Sequence, residues 1–168
     1  MTLPSDAFEA ALAIADALER HGVPYALGGA HAYGQYGIPR ATNDVDVNVF
    51  VESARRQAED QGMFVARLGP FRIDVFTPSI DFAWEAERTR VAHVVEGRPV
   101  WFLSPEALCV FKLLFFRGKD VVDLERLIAV QGAALDRSYV RSQIAAMMGE
   151  DDPRVATWER LWSEHGPG

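Results

Sequence analysis

The sequence predicts an α/β (α+β) fold, in which a short mixed β-sheet is flanked by helices and followed by a helical C-terminal part. Segments with apolar residues at every second position, which are typical of strands, all fall before residue 104. Segments with the three-and-four spacing of helices interleave with those strands and then make up the rest of the chain. We therefore expect a core over residues 1–103, with the helical residues 104–168 packed on it as a single compact unit.

Length, composition and net charge exclude several classes of protein. The chain has 168 residues, of which 49% are hydrophobic, enough for one compact domain. It has no apolar run near the about 20 residues that span a bilayer and no signal-peptide pattern, so we expect a cytoplasmic protein without a membrane segment. One cysteine fits a reducing compartment. A net charge of −7 argues against a protein that coats nucleic acid in general.

The elements follow in order from periodicity and from turn residues. Ser5 is expected to cap the first helix, and Ser104-Pro105-Glu106 predicts a strong start for an apolar helix. The predicted strands cover residues 23–27, 45–51, 63–68, 71–76, 90–96 and 99–103. The predicted helices cover residues 5–20, 30–36, 52–61, part of 78–88, 105–116, about 119–130, 135–148 and 153–162.

Two acidic side chains share one face of the strand predicted at residues 45–51. Because side chains alternate along a strand, Val45, Val47 and Val49 point to one face, and Asp44 and Asp46 point to the other. Like charges this close repel, so one carboxyl group would stay protonated unless a cation lies between them. Carboxylate oxygens suit Mg²⁺ or Mn²⁺, and the pair therefore predicts a site for one of these ions.

A third acidic residue, Asp74, falls in the middle of the strand predicted at residues 71–76, where aspartate is unfavourable. Ile73 and Val75 share one face of that strand, and Arg72 and Asp74 share the other. An acid placed there needs a reason, and we regard Asp74 as a candidate for the same site.

A glycine pair, Gly28-Gly29, separates the first short strand from the following helix. Glycine lets the backbone approach a ligand closely, and the free N–H groups of a helix start suit phosphate. Further along, Arg40 is either a partner that neutralises the acid pair or a clamp for phosphate. Thr42 either caps the turn before the acid strand or acts directly in the site.

Together, Gly28-Gly29, Arg40, Thr42, Asp44 and Asp46 resemble the signature of the nucleotidyltransferase superfamily with the DNA polymerase beta-type fold. The small bacterial AbiEii-type toxin nucleotidyltransferases are the branch they resemble most. The resemblance implies a catalytic core over residues 1–103 that moves a nucleoside monophosphate from an NTP to an acceptor hydroxyl and releases pyrophosphate. It also implies that Asp44, Asp46 and Asp74 are catalytic and hold the metal. Gly28, Gly29, Arg40 and Thr42 would bind the nucleotide.

Downstream, Lys112, Arg117, Asp120 and Asp123 resemble the K-x4-R and D-x-x-D elements of AbiEii-type proteins. Lys112 is a lone cation in an apolar helix and must pair with an acid or a phosphate, or lose its proton. We expect Lys112 and Lys119 to contact phosphate or the acceptor. Asp120 and Asp123 have two readings: Asp120 caps the next helix with Asp123 three residues later, or the pair is catalytic.

The acceptor stays open at the level of sequence. The resemblance favours tRNA or another RNA as acceptor, with the protein acting as the toxin of a toxin–antitoxin pair and an antitoxin as its partner. One alternative is a nucleotidyltransferase that modifies a small molecule such as an antibiotic. The other is a catalytically lapsed relative that binds nucleotides or a partner protein.

Overall fold

A computed structural model describes residues 3–55 and 62–167 and divides the chain into two compact units. The first unit comprises Met1–Gln35 and Pro39–Leu103, and the second comprises Tyr36–Ile38 and Ser104–Gly168. The part of the predicted helix at residues 52–61 that falls on residues 56–61 lies outside the described residues.

The first unit contains every strand that the structure describes. Its elements are α1 (Ala7–Arg20), β1 (Tyr25–Leu27), α2 (Gly29–Gln35), β2 (Asp44–Val49), α3 (Glu52–Arg55), β3 (Met63–Leu68), β4 (Phe71–Phe76), α4 (Asp81–Thr89), β5 (Val91–Val95) and β6 (Arg98–Phe102). The strands form one six-stranded sheet in the order β3-β4-β2-β1-β6-β5. The pairs β2–β4 and β1–β6 are parallel and the other neighbours are antiparallel. The α/β class and the mixed sheet flanked by helices are thus confirmed.

The amphipathic helix α1 packs on β1, β2 and β6. Its small residues Ala10, Ala11 and Ala15 are buried, as are the valines of β2. The predicted cap at Ser5 is wrong, because the N-cap is Asp6, whose carboxylate accepts a hydrogen bond from the Glu9 N–H at 2.8 Å. Ser5 instead donates to the Glu9 side chain, so both residues secure the start of the helix.

The second unit is helical, with α5 (Pro105–Phe115), α6 (Gly118–Gln131), α7 (Arg137–Met148) and α8 (Pro153–His165). Ser104 caps α5 as predicted, its hydroxyl accepting from the Ala107 N–H at 3.1 Å. Trp158 of α8 is fully buried and donates from Nε1 to the carbonyl of Arg137 at 3.1 Å. Among residues 3–55 and 62–167, no helix is long and apolar enough to cross a membrane.

Candidate active site

The acidic side chains of β2 and β4 form a small patch that we call the carboxylate face, defined by Asp44, Asp46, Arg72 and Asp74. The parallel register of β2 and β4 places Asp44 beside Arg72 and Asp46 beside Asp74. Residues in register point to the same side of a sheet, so the carboxylates of Asp46 and Asp74 are neighbours. The alternate positions are buried on the other side, and they are Val45, Val47, Ile73 and Val75.

Arg72 is a member of this face that the sequence did not identify as a site residue. Its Nε donates to Asp74 Oδ1 at 2.7 Å, with 46% of the Arg72 side chain exposed and 18% of Asp74. That hydrogen bond, and then the charges of Asp74, Asp44 and Asp46, raise the pKa of the Arg72 guanidinium. The available signal was the Arg-Ile-Asp spacing, which puts both side chains on one face of a strand.

Gly29 lies directly against the acid strand. Its φ of +49° falls in the left-handed region, which glycine adopts without strain. A β carbon at this position would overlap the Asp46 carboxylate, lying 2.6 Å from its Cγ. The preceding residue, Gly28, donates its N–H to the carbonyl of Asp46 at 2.9 Å. The structure thus brings the predicted glycine pair together with Asp46, one member of the predicted acid pair.

Thr42 and Arg40 precede β2 and differ in what they contact. The Thr42 hydroxyl accepts from the Asp44 N–H and donates to the Asp44 carbonyl, both at 3.1 Å, which fixes the first residue of the acid strand. This is the capping alternative. Arg40 is exposed, and its guanidinium lies 5.6 Å from the centroid of the Tyr33 ring. On the carboxylate face, Arg72 forms an ion pair with Asp74.

His31 lies two residues after Gly29 and is 8% exposed. Burial lowers the pKa of its ring, with an opposing effect from a hydrogen bond to the backbone of Asp44. Its ring lies 5.7 Å from that of Phe8, and within the part of the chain that the structure describes its Nε2 has no hydrogen-bond partner. A packed, neutral histidine that ties α2 to the start of β2 is the role these contacts support.

The downstream residues form a separate cluster inside the second unit. Lys112 Nζ donates to Asp120 Oδ1 at 2.9 Å and to Asp123 Oδ2 at 2.8 Å. Both carboxylates are buried. Of the two partners that the sequence allowed for Lys112, the structure contains the acid. Lys119 is exposed, and contact of either lysine with phosphate stays a prediction.

The capping prediction for Asp120 was wrong in its position. The N-cap of α6 is Arg117, and Asp120 is the third helical residue, whose Oδ2 accepts from the Arg117 backbone N–H at 3.0 Å. Asp123 accepts a hydrogen bond from Lys112, and the hydrogen bonds observed at the cap join Arg117 and Asp120. Burial would raise the pKa of Asp120, but hydrogen bonds from Arg117 and Lys112 outweigh it and lower the pKa to about 2.

The carboxylate face has side chains of the kind that bind a divalent cation, but within the described residues they are not already arranged as a metal-binding cluster. Asp44, Asp46 and Asp74 offer oxygen donors of the kind that Mg²⁺ and Mn²⁺ prefer. Asp74 uses Oδ1 for Arg72, and its other oxygen has no hydrogen bond among the described residues. Within residues 3–55 and 62–167, no group of three or more His, Cys, Asp or Glu side chains is already arranged to hold a metal ion.

The protein has an α/β fold with a mixed sheet. On one face of that sheet Asp46 and Asp74 lie in register, and the glycine turn at Gly28-Gly29 lies next to Asp46. Comparison with protein-family models and with curated proteins gives no match. Among solved structures, an antigenic nucleotidyltransferase-like protein from Paracoccidioides brasiliensis is 15% identical with a TM-score of 0.48, covering 88% of this chain and 91% of its own.

Two structures of the antibiotic-resistance factor ANT(2'')-Ia are also similar. The solution structure is 19% identical with a TM-score of 0.49 and covers 94% of this chain and 89% of its own. The crystal structure in complex with adenylyl-2''-tobramycin is 16% identical with a TM-score of 0.46 and covers 95% of this chain and 99% of its own. At these identities and scores, none of these similarities bears on substrate or mechanism.

Proposed function

We propose that the chain is a metal-dependent nucleotidyltransferase that moves a nucleoside monophosphate from an NTP to an acceptor hydroxyl and releases pyrophosphate. The observation that carries the proposal is the register of Asp46 with Asp74 on adjacent parallel strands. Carboxylates that lie close together on one face of a sheet repel each other unless a cation is present. The backbone of Gly29 lies next to the carboxylate of Asp46. Phosphoryl transfer needs this combination of positioned phosphate and localised charge.

Asp44, Asp46 and Asp74 are the residues that would hold Mg²⁺ or Mn²⁺. When bound, such an ion lowers the pKa of a hydroxyl and offsets phosphate charge. Asp74 is the general base in this proposal, since Arg72 engages only one of its oxygens and the other can accept the acceptor's proton. Asp46 is held in place by its strand and by the contact with Gly29.

The nucleotide-binding side of the proposal rests on Gly28, Gly29 and Arg40. The glycine pair leaves room for a phosphate to approach the backbone, and the exposed Arg40 guanidinium can grip phosphate oxygens by two bonds. Thr42 acts by fixing Asp44 through its two hydrogen bonds.

Two lysines of the second unit, Lys112 and Lys119, differ in how readily they could contact a phosphate. Lys119 is exposed and can contact phosphate or the acceptor without giving up a buried partner. Lys112 would have to leave two buried carboxylates, and its contacts favour a structural role. We retain both as proposed phosphate contacts, with Lys119 the better placed by exposure.

For the acceptor we propose tRNA or another RNA, as expected for an AbiEii-like toxin with an antitoxin partner. A chain with a net charge of −7 would have to hold RNA through a local basic patch. A non-catalytic binding module is the second candidate, and the observation that favours it is the Arg72–Asp74 ion pair, which neutralises one of the three acids without a metal.

Labelled NTPs, Mg²⁺ and either total tRNA or a set of aminoglycosides and lincosamides test these proposals. The D46N variant should lose the transfer, and D81N, which changes an exposed acid at the start of α4, should keep it. Label on RNA supports the RNA acceptor, and label on a drug supports the small-molecule alternative. If no substrate is labelled and calorimetry detects no Mg²⁺-dependent nucleotide binding, transfer is ruled out in favour of the partner-binding module.

A further inference from the structure

The carboxylate face carries its own fixed cation. Asp44, Asp46 and Asp74 contribute three negative charges, and Arg72 contributes one positive charge. Arg72 occupies the position beside Asp44 in the register and bonds Asp74, two residues further along its own strand. The backbone of β4 therefore sets the distance between donor and acceptor, because residues two apart on a strand stand on the same face.

Burial does not account for this ion pair. The Arg72 side chain is 46% exposed, and an exposed pair of this kind contributes little to stability. The bond is nevertheless specific, since it uses Nε and a single carboxylate oxygen at 2.7 Å. It holds the Asp74 carboxylate in one orientation and leaves its second oxygen without a hydrogen bond among the described residues.

We propose that Arg72 is a positioning residue for Asp74, orienting the carboxylate for proton transfer and offsetting one charge of the face. The proposal rests on the proposed function, in which Asp74 takes the acceptor's proton. Arg72 has two separable effects. The Nε hydrogen bond orients Asp74, and the guanidinium charge weakens the attraction of the whole face for a cation.

Substitutions of Arg72 separate the two effects. R72M removes both, while R72K keeps the charge and lacks the fixed fork of donors. The matched control is R67M, because Arg67 of β3 lies in register with Arg72 and is exposed, but forms no ion pair in the structure's described residues.

For nucleotidyl transfer, R72M should lower kcat at least about tenfold, because a misoriented base loses rate, while the KM for NTP changes less than about twofold. R72K should recover part of the lost kcat. R67M should keep both parameters within about twofold of wild type.

For metal binding without nucleotide, Mn²⁺ titration followed by electron paramagnetic resonance is the second readout. R72M should bind Mn²⁺ about two- to tenfold more tightly than wild type, because an exposed cation has been removed from the face. R72K should match wild type, and R67M should stay within about twofold of it.

Three results would overturn the proposal. They are an unchanged kcat in R72M, with or without a raised KM for NTP, weaker Mn²⁺ binding in R72M, or an R67M variant that behaves like R72M. A raised KM would make Arg72 a phosphate contact instead. If wild type transfers no nucleotide, the proposed function fails on its own, and the Mn²⁺ titration still decides whether Arg72 offsets the charge of the face.

Discussion

The carboxylate of Asp46 occupies the space that a side chain on Gly29 would need. A β carbon there would lie 2.6 Å from Asp46 Cγ, and the φ of Gly29 is +49°. We expect G29A to lower the free energy of unfolding by about 2–4 kcal/mol, the sum of left-handed strain and overpacking. Urea denaturation measures this change.

Gly34 provides the control for that experiment, because it lies in the same helix with nothing within 4 Å of an added β carbon. G34A should raise the free energy of unfolding by up to about 1 kcal/mol, since alanine is the better helix former. A G29A protein as stable as wild type would contradict the close approach of Asp46.

Substitution of Asp74 should reduce activity strongly and change stability little. Its carboxylate is partly exposed and bonded only by Arg72 among the described residues, so D74N should change the free energy of unfolding by less than about 1 kcal/mol. The same change should reduce nucleotidyl transfer on the order of 10²–10⁴-fold, the usual contribution of a general base. Paired rate and denaturation measurements test this. A D74N protein with near wild-type rates would remove Asp74 from the chemistry.

The alternation of apolar and polar residues was sufficient to predict the acid strand and Asp74. Period two fixes which side chains share a face, and an aspartate in mid-strand is unfavourable without a role. What alternation cannot give is the order and register of strands that are distant in sequence. The pairing of Asp46 with Asp74 joins positions 28 residues apart, and only the sheet itself reveals that Arg72 stands beside Asp44.

The exact residue at which a helix begins could also not be predicted from the sequence. The predicted caps were Ser5 and Asp120, whereas the helices begin at Ala7 and Gly118, with Asp6 and Arg117 as their N-caps. Capping depends on which backbone N–H groups lack partners, and a shift of one to three residues moves an acid from the cap into the first turn. For Lys112 the sequence allowed either an acid or a phosphate as partner, and the pairing with Asp120 and Asp123 depended on the packing of α5 against α6.

Glu96, in the turn between β5 and β6, has a backbone conformation that is unfavourable for glutamate. The two-residue loop has positive φ at both Glu96 (51°) and Gly97 (80°), which is the pattern of a type I′ hairpin. Asparagine adopts this conformation more readily than glutamate, so E96N should raise the free energy of unfolding by about 0.5–1 kcal/mol. Thermal denaturation measures the effect. A destabilised E96N would show that the Glu96 side chain has a favourable role in the turn.

Two lysines of the second unit should differ in their contribution to stability. K112M leaves two buried carboxylates without their shared ammonium group and should cost about 3–5 kcal/mol. K119M removes an exposed charge and should stay within about 0.5 kcal/mol of wild type. Urea denaturation of both variants provides the comparison.

A double variant shows whether the loss in K112M comes from the unpaired acids. K112M/D123L removes one carboxylate together with the ammonium and should be more stable than K112M alone. If K112M is as stable as wild type, Lys112 is not a structural cation, and its proposed contact with phosphate gains support.

Asp120 should make the protein sensitive to acid. Its folded pKa is about 2, below the usual 3.8, because hydrogen bonds from Arg117 and Lys112 outweigh the effect of burial. Between these values the unfolded chain binds more protons than the folded one, so stability rises with pH. The contribution of Asp120 is complete above about pH 5, amounts to about 2 kcal/mol, and is lost as the pH falls toward about 2.

The D120N variant tests the sign and the pH range of this effect. It lacks the titrating group, so the difference in unfolding free energy between wild type and D120N should be largest near neutral pH and shrink as the pH falls below about 4. D136N is the matched control, because Asp136 caps α7 from an exposed position with one hydrogen bond to the Tyr139 N–H. A difference between wild type and D120N that stays constant from pH 7 to about pH 2 would mean that the Lys112 and Arg117 bonds do not depend on the charge of Asp120.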